Sequence, residues 1–589
     1  MNWRIAKKIF VGILAGVGGL VLLAIMIFAL SYWAGKRHVP PKAVLELDFD
    51  KEPVEYAPGG STIRFLLPEI LTIRDFVEAL DAASRDDRIV GVVARLGGSN
   101  MGLAKVQEIR DAVLGFRRAG KPAVCYAETI GEFGPGNITY YLASAFDRIY
   151  IQPSGDVGLT GLISEVPFVR STLDKLGVAP RLDHRKEYKN FMNMFTEREF
   201  TGAHREATRA VMHSQFNQIV SGIAQMRRFP EEDLRSLIDK GPFIGKEALN
   251  SKLVDGLVYR DEIYDWMKDK LGTDVEFVPL SRYRRAARAG EDGPTVALIY
   301  GVGPIHLGES TFSSTAVDNL TMGSDTVTEA FRSAIEDKDV KAILFRVDSP
   351  GGSYVASDAI WRETVRARES GKPVIVSMGN VAGSGGYFVA MSADKIVAQP
   401  GTLTGSIGVI GGKIVMRELW NKLGVTWDEV HTSDHAAMWT YNRDYTPEEW
   451  NRVEAWLDRA YQDFTTKVAR GRGLPEEKVR EIAKGRIWTG EDAKEVGLVD
   501  ELGGFPVALQ LVRQAIGVPS EASIRLKVIS RERSPLGLVL RRIGVFGAEE
   551  GAAPLSRISP MFRYFLAKDP LNAGSPIDPL RMPQIAPPY

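Results

Sequence analysis

A serine set among small residues at the end of an apolar run is the first feature of this chain that could do chemistry. Ala382-Gly383-Ser384-Gly385-Gly386-Tyr387-Phe388 follows a predicted strand and precedes an apolar helical run. A Ser on such a strand-to-helix turn is open to a substrate, and the start of the helix offers free backbone donors. A plain Gly-rich turn is the competing reading. Upstream, Asp348-Ser349-Pro350-Gly351-Gly352 also lies between a strand and a helix. Gly there permits unusual backbone angles and bares N–H groups that could hold the oxyanion of a tetrahedral intermediate. A structural turn explains the same residues equally well. Thr404-Gly405-Ser406-Ile407-Gly408 places another Ser among small residues. It is not a phosphate loop, because Lys413 is followed by Ile414 and the upstream Gly is misplaced for that motif. A serine nucleophile needs a base, usually His. His431 and His435 lie near and could complete a triad or bind a metal, but no acidic or Cys cluster supports a metal, and surface histidines are the simpler reading.

The elements that must position these residues are written twice. Phe76-Val77-Glu78-Ala79-Leu80 is echoed by Val327-Thr328-Glu329-Ala330-Phe331, 251 positions on. The same offset relates the runs Arg88 to Arg95 and Asp339 to Arg346, and Gly120-Lys121-Pro122 to Gly371-Lys372-Pro373. It falls to 247 for Asp147 and Asp394, Pro153 and Pro400, and Leu176-Gly177-Val178 against Leu423-Gly424-Val425. Leu253-Val254-Asp255 and Leu498-Val499-Asp500 close the copies at 245. Such ordered self-similarity marks a tandem duplication, with copies over 43–285 and 294–515, a linker at 286–293 and a Pro-rich tail over 547–589. Within each copy, short β-branched runs (Ile89 to Ala94, Ala123 to Tyr126, Ile343 to Val347, Val374 to Ser377) alternate with amphipathic stretches (Ala104 to Arg117, Val355 to Arg368). That alternation predicts an α/β fold of buried parallel strands with crossover helices. At the 247 offset Ser384 corresponds to Asn137, so one copy lacks this hydroxyl.

Before the duplication, Ile9 to Tyr32 is 24 residues without a charge, enough to span a bilayer core. Arg4, Lys7 and Lys8 precede it and Trp3, Tyr32 and Trp33 flank it, which predicts a transmembrane signal anchor over 9–32 with residues 1–8 in the cytoplasm. A cleavable signal peptide would have a shorter apolar region. In a bacterium the body then lies outside the inner membrane. The chain has 589 residues, 74 Lys plus Arg against 74 Asp plus Glu, and one Cys. Zero net charge argues against a general nucleic-acid binder, and Cys125 alone can form no intrachain disulfide or thiolate metal cluster.

The duplicated body, the Ser-Gly-Gly-Tyr turn, the Asp-Ser-Pro-Gly-Gly turn, the Leu-Thr-Gly-Ser-Ile-Gly segment and the amino-terminal anchor together closely resemble the signal peptide peptidase A family in its long, two-copy form. The resemblance covers Ala43 to about Val518 and implies two Clp-protease/crotonase-like domains carrying a Ser/Lys dyad. By resemblance, Ser384 is the nucleophile, Gly351 and Gly352 belong to the oxyanion region, and Ser406 steadies the base. The family's long form takes its lysine from the first copy, and the matching residue here is Lys189 in Lys186-Glu187-Tyr188-Lys189-Asn190-Phe191, with Lys186 as the alternative. At the 247 offset Lys189 corresponds to Ala436. The Ser thus survives only in copy two and the Lys only in copy one, as a single composite site per chain would leave them. Acting as a base near pH 7 requires the charged lysine to be penalised by about 4 kcal/mol, for which burial is the usual cause. Phe191, Met192, Met194 and Phe195 offer apolar surroundings, and Arg185 and Lys186 could add repulsion.

The implied protein is a membrane-anchored serine endopeptidase that degrades cleaved signal peptides and similar apolar peptides at the outer face of the inner membrane, as a homotetramer and without metal or organic cofactor. A crotonase-like acyl-CoA enzyme and a non-catalytic membrane scaffold or chaperone are the alternatives.

Overall fold

The computed structural model describes residues 39–57, 70–98, 101–287, 292–311, 320–529 and 580–581. The anticipated anchor over 9–32 and most of the 547–589 tail lie outside the described residues. Among the described residues no helix is long and apolar enough to cross a membrane.

Two sheets organise the chain. The first contains six parallel strands in the order Gly256–Leu257, Arg148–Ile151, Ala123–Ala127, Ile89–Arg95, Ala43–Asp48, Glu276–Pro279. Its central members are nearly continuous β-branched and Ala runs because helices cover both faces and no position alternates to water. The second sheet runs Ile487–Thr489, Leu403–Gly405, Val374–Gly383, Val340–Ser349, Thr295–Val302, Arg525–Val528, with Lys395–Ala398 also pairing with Val374–Gly383. Its last strand lies beyond residue 515, parallel to Thr295–Val302.

The helices repeat with the offsets of the sequence. Ile73–Arg85 and Leu103–Arg118 recur as Ser324–Glu336 and Tyr354–Glu369, and Gly202–Arg227 recurs as Pro447–Arg472. The duplicated polar residues close backbone groups that would otherwise be orphaned. Lys121 Nζ donates to the carbonyls of Ala83 and Asp86 at the end of the first helix, and Lys372 Nζ does the same to Ala334 and Asp337. The Asp255 carboxylate accepts from Ile149 N and the Asp500 carboxylate from Ile396 N, both at 2.8 Å. Tyr140 and Tyr387 donate to the carbonyls of Leu253 and Leu498.

The copies are fused rather than strung together. Leu298, Leu344 and Phe505 of the second copy share a buried cluster with Leu45, Leu80 and Val92 of the first. Ala179–Arg185 of copy one pairs antiparallel with Val409–Val415 of copy two over seven residues. Between the sheets, the fully buried Arg346 guanidinium donates to Glu55 Oε1 at 2.6 Å and Glu108 Oε2 at 2.7 Å, both from copy one. Removing either carboxylate alone would leave a buried charge short of a partner, so this triad pins the relative placement of the copies.

Candidate active site

Ser384 stands at the junction of the Val374–Gly383 strand and the short Gly385–Ala390 helix, at φ 56° and ψ −116°. A non-Gly residue in that region is strained and must be held from outside. Ser384 N donates to Gly405 O at 2.8 Å. The two following glycines are required by close approach. A Cβ on Gly385 would lie 2.6 Å from Ser357 Oγ and 3.1 Å from Gly352 N, and one on Gly386 would lie 2.5 Å from Ser349 O. The small residues around Ser384 therefore let the Gly351-Gly352 turn press against the start of the serine's helix.

That turn is itself fixed. Gly351 and Gly352 have φ of 94° and 155°, which only Gly adopts easily. Ser349 Oγ donates to Gly303 O at 2.7 Å and accepts from Gly351 N at 3.1 Å. Gly351 thus spends its N–H on Ser349, while Gly352 N lies close to Gly385, 3.1 Å from where a Cβ on that residue would stand.

Lys189 arrives from copy one, just after the Ala179–Arg185 strand has paired with Val409–Val415. Its side chain is fully buried. Nζ lies 2.7 Å from Ser384 Oγ, 3.0 Å from Ser406 O and 3.1 Å from Ser406 Oγ. Burial drives its pKa well below the usual lysine value. An uncharged amine has two N–H groups and one lone pair. The two acceptor atoms of Ser406 take the former, which aims the lone pair at the Ser384 hydroxyl proton. Ser406 is set in turn by Ser406 N donating to Arg486 O at 2.7 Å.

Like-charge repulsion plays no part in depressing Lys189. Arg185 is engaged with the carboxylates of Asp183 and Asp458, and Lys186 is exposed, its carbonyl accepting from Lys189 N. Desolvation is the cause. The two histidines are placed elsewhere: His431 Nε2 lies 3.2 Å from Glu429 and His435 Nδ1 3.8 Å from Glu449. In copy one, buried Asn137 accepts at Oδ1 from Thr160 N and Gly161 N and donates through Nδ2 to Gly161 O. The residue standing where a second serine would be is a structural amide.

Residues that sequence reasoning missed complete the site. Tyr188 N donates to Lys484 O, and a Cβ on Gly485 would sit 2.5 Å from Lys189 N and 2.7 Å from Lys189 Cα. Gly485, at φ 81°, therefore lets the Lys189 backbone lie on copy two. The only sequence signal was a Gly between Lys484 and Arg486.

A serine hydroxyl within hydrogen-bond reach of a buried, desolvated amine, beside a buried glycine turn, is the layout of a serine hydrolase that uses lysine in place of histidine. The comparisons with known proteins make the assignment specific. The chain belongs to peptidase family S49, whose model matches residues 115–274 and 366–519, and it is a serine protease. It is 31% identical over 485 residues to the chloroplastic serine protease SPPA of Arabidopsis thaliana, covering 80% of this chain and 70% of that protein. It is 34% identical over 448 residues to Protease 4 of Salmonella typhi, covering 74% of this chain and 70% of that one. Among solved structures, a ClpP1 mutant from Listeria monocytogenes aligns at 13% identity and TM-score 0.23, over 36% of this chain and 94% of that one.

Proposed function

We propose that this chain is a membrane-anchored endopeptidase that cleaves apolar peptides, spent signal peptides foremost, with Ser384 as nucleophile and Lys189 as general base. The observation that carries the reading is the 2.7 Å approach of the buried Lys189 Nζ to Ser384 Oγ. Lys189 takes the hydroxyl proton as Ser384 Oγ attacks the scissile carbonyl, and the oxyanion is met at the Gly351-Gly352 turn by the N–H of Gly352, together with that of Gly385. The protonated lysine then returns its proton to the leaving amine. Water, deprotonated by the same lysine, releases the acyl group from Ser384.

A peptide substrate suits the edge beside the serine. Gly351–Gly352 pairs antiparallel with Leu580–Arg581 of the chain's own carboxy-terminal region, so this edge accepts an extended strand through main-chain bonds. The uncharged Ile9 to Tyr32 segment, behind Arg4, Lys7 and Lys8, supports a single-pass inner-membrane location with the body outside.

Assembly into a homotetramer is supported by the repeat. At the 247 offset the paired strands Val409–Val415 and Ala179–Arg185 correspond to residues 162–168 and 426–432. Neither of those segments is paired in a strand, and Trp427 and Val430 in the second are exposed. A second copy of the chain supplies the complementary segment, head to tail.

The test is cleavage of an apolar fluorogenic peptide by Ser384→Ala and Lys189→Ala, made separately. Each variant loses activity under this reading, and full activity in either excludes the dyad.

A further inference from the structure

Copy one sends a second lysine across the interface. Lys105, in the first turn of the Leu103–Arg118 helix, places Nζ 3.1 Å from Asp348 Oδ2. Asp348 sits one residue before Ser349 and three before Gly351, at the end of the strand that leads into the oxyanion turn. Its other carboxylate oxygen accepts from Val381 N at 3.0 Å, and Val381 is three residues before Ser384. One carboxylate therefore ties together the two strands that deliver the oxyanion turn and the serine.

The tie lies on a bulge. Val347 pairs with Met378 and Ser349 with Ala382, so two residues of one strand face four of the other. Asp348 alone faces Gly379, Asn380 and Val381, an excess of two residues. A Cβ on Gly379 would lie 2.9 Å from Asp348 Cβ, which is why the bulge begins with Gly. Asn380 Oδ1 accepts from Lys105 N at 3.0 Å, capping the copy-one helix from copy two. Gly102, the N-cap residue, has no side chain to interfere; a Cβ there would lie 2.4 Å from Asn380 Nδ2. Lys105 thus grips the bulge at two points, its backbone on Asn380 and its ammonium on Asp348. Burial opposes its charge, but Asp348, Glu55 and Glu52 outweigh burial and hold it protonated.

The repeat shows the same division seen at the serine and its base. At the 251 offset Lys105 corresponds to Ala356 and Asp348 to Gly97. Ala356 is buried, and a Cβ on Gly97 would collide with Asp50. Neither copy holds both partners, so this pair exists only where copy one meets copy two. Bulges of this kind beside active sites serve to aim side chains.

We propose that Lys105 is a positioning residue for the reaction: acting through Asp348 and Asn380, it holds the bulged strand in the register that sets Ser384 against the Gly351-Gly352 turn. The consequence for catalysis rests on the peptidase reading above; the mechanical brace does not.

Lys105→Met, Lys105→Arg, Asp348→Asn and the double variant Lys105→Met/Asp348→Asn test it. Hydrogen–deuterium exchange on the full chain reads the brace itself. In Lys105→Met, residues 378–384 lose protection while the Ile89–Arg95 strand does not. Unchanged protection at 378–384, or a loss spread equally over both regions, overturns the brace. Kinetics on the apolar peptide read its consequence. Lys105→Met lowers kcat about 10- to 100-fold with KM within about 2-fold and the acid limb of the pH profile in place, since displacement of about 1 Å has effects of this size. Lys105→Arg recovers most of the rate, and the double variant is no slower than Lys105→Met alone. A kcat within about 2-fold of wild type in Lys105→Met, or additive losses in the double variant, overturns the positioning role. A wild-type chain with no Ser384-dependent cleavage defeats the peptidase reading instead, and the exchange arm still decides the brace.

Discussion

Lys189 Nζ and Ser384 Oγ lie 2.7 Å apart in the fold and 195 residues apart in the chain. Each belongs to a different copy of one duplicated domain, and at the 247 offset the counterpart of the serine is Asn137 and that of the lysine is Ala436. On the proposed dyad, the interface between copies is the place where chemistry becomes possible. The buried Arg346 triad and the Ala179–Arg185 pairing then bear on activity as much as on stability, because they set how far the lysine stands from the serine.

The depressed pKa of Lys189 makes stability depend on pH in the opposite sense from a lysine held in an ion pair. Its folded pKa is depressed by burial while the unfolded chain keeps the ordinary value of about 10.4. Between the two, the unfolded chain binds a proton that the folded chain does not, so this group makes stability rise with pH. Lys189→Met removes that term. Its stability gain over wild type is largest below the folded pKa and shrinks as pH approaches about 10.4. Denaturant midpoints of both proteins across pH check this, and a constant difference contradicts it. Wild-type kcat/KM rises on an acid limb well below the usual lysine range.

Ser406 contributes both acceptors that orient the amine, one through its backbone carbonyl and one through Oγ. Ser406→Ala keeps the carbonyl and removes the hydroxyl. Losing an acceptor of the lysine's N–H groups disfavours the charged amine further, so the acid limb moves to lower pH. The freed amine also points less often at Ser384, and kcat falls about 10-fold or more. Steady-state kinetics as a function of pH separate the two effects.

Gly485→Ala is expected to act on the base without touching it. The new Cβ would fall 2.5 Å from Lys189 N, and φ 81° is unfavourable to Ala. A destabilisation of about 1–3 kcal/mol from the backbone alone is expected, with loss of activity exceeding what the remaining folded fraction explains. Thermal unfolding together with active-site titration distinguishes a displaced lysine from simple unfolding.

Val430 is fully exposed in a segment that corresponds, through the repeat, to a paired strand. Val430→Asp puts a charge into the proposed head-to-tail contact. Light scattering on the detergent-solubilised full chain should show a shift from the tetramer to smaller species, while Ser384 remains reactive because its lysine comes from the same chain. An unchanged mass would remove residues 426–432 from the contact.

Local motifs were legible and cross-interface contacts were not. Ser384 and the Gly351-Gly352 turn stood out because a nucleophile turn and an amide-bearing turn both need small residues in sequence. Lys189 emerged only when the repeat and a family resemblance were combined, since a lysine among Tyr188, Asn190 and Phe191 carries no local mark of burial. The repulsion anticipated from Arg185 fails because Asp183 and Asp458 neutralise it, and Asp458 lies on a distant helix of the other copy. Gly485, Lys105 and Arg346 were unreadable for the same reason: their partners are hundreds of residues away, and no periodicity encodes such a pairing. The alternation of apolar runs located the strands. It understated Val374–Gly383, whose extra length is the bulge closed by Asp348.

The central claim is that each chain holds one composite site, with its nucleophile in copy two and its base in copy one. Covalent labelling by a fluorophosphonate, read by peptide mass mapping and by rate, tests it most directly. The account predicts one label per wild-type chain, on Ser384, and labelling about 100- to 10,000-fold slower in Lys189→Ala, the usual contribution of a positioned base. Labelling of Ser384 at the wild-type rate in Lys189→Ala, or a label on any other serine in Ser384→Ala, would contradict it.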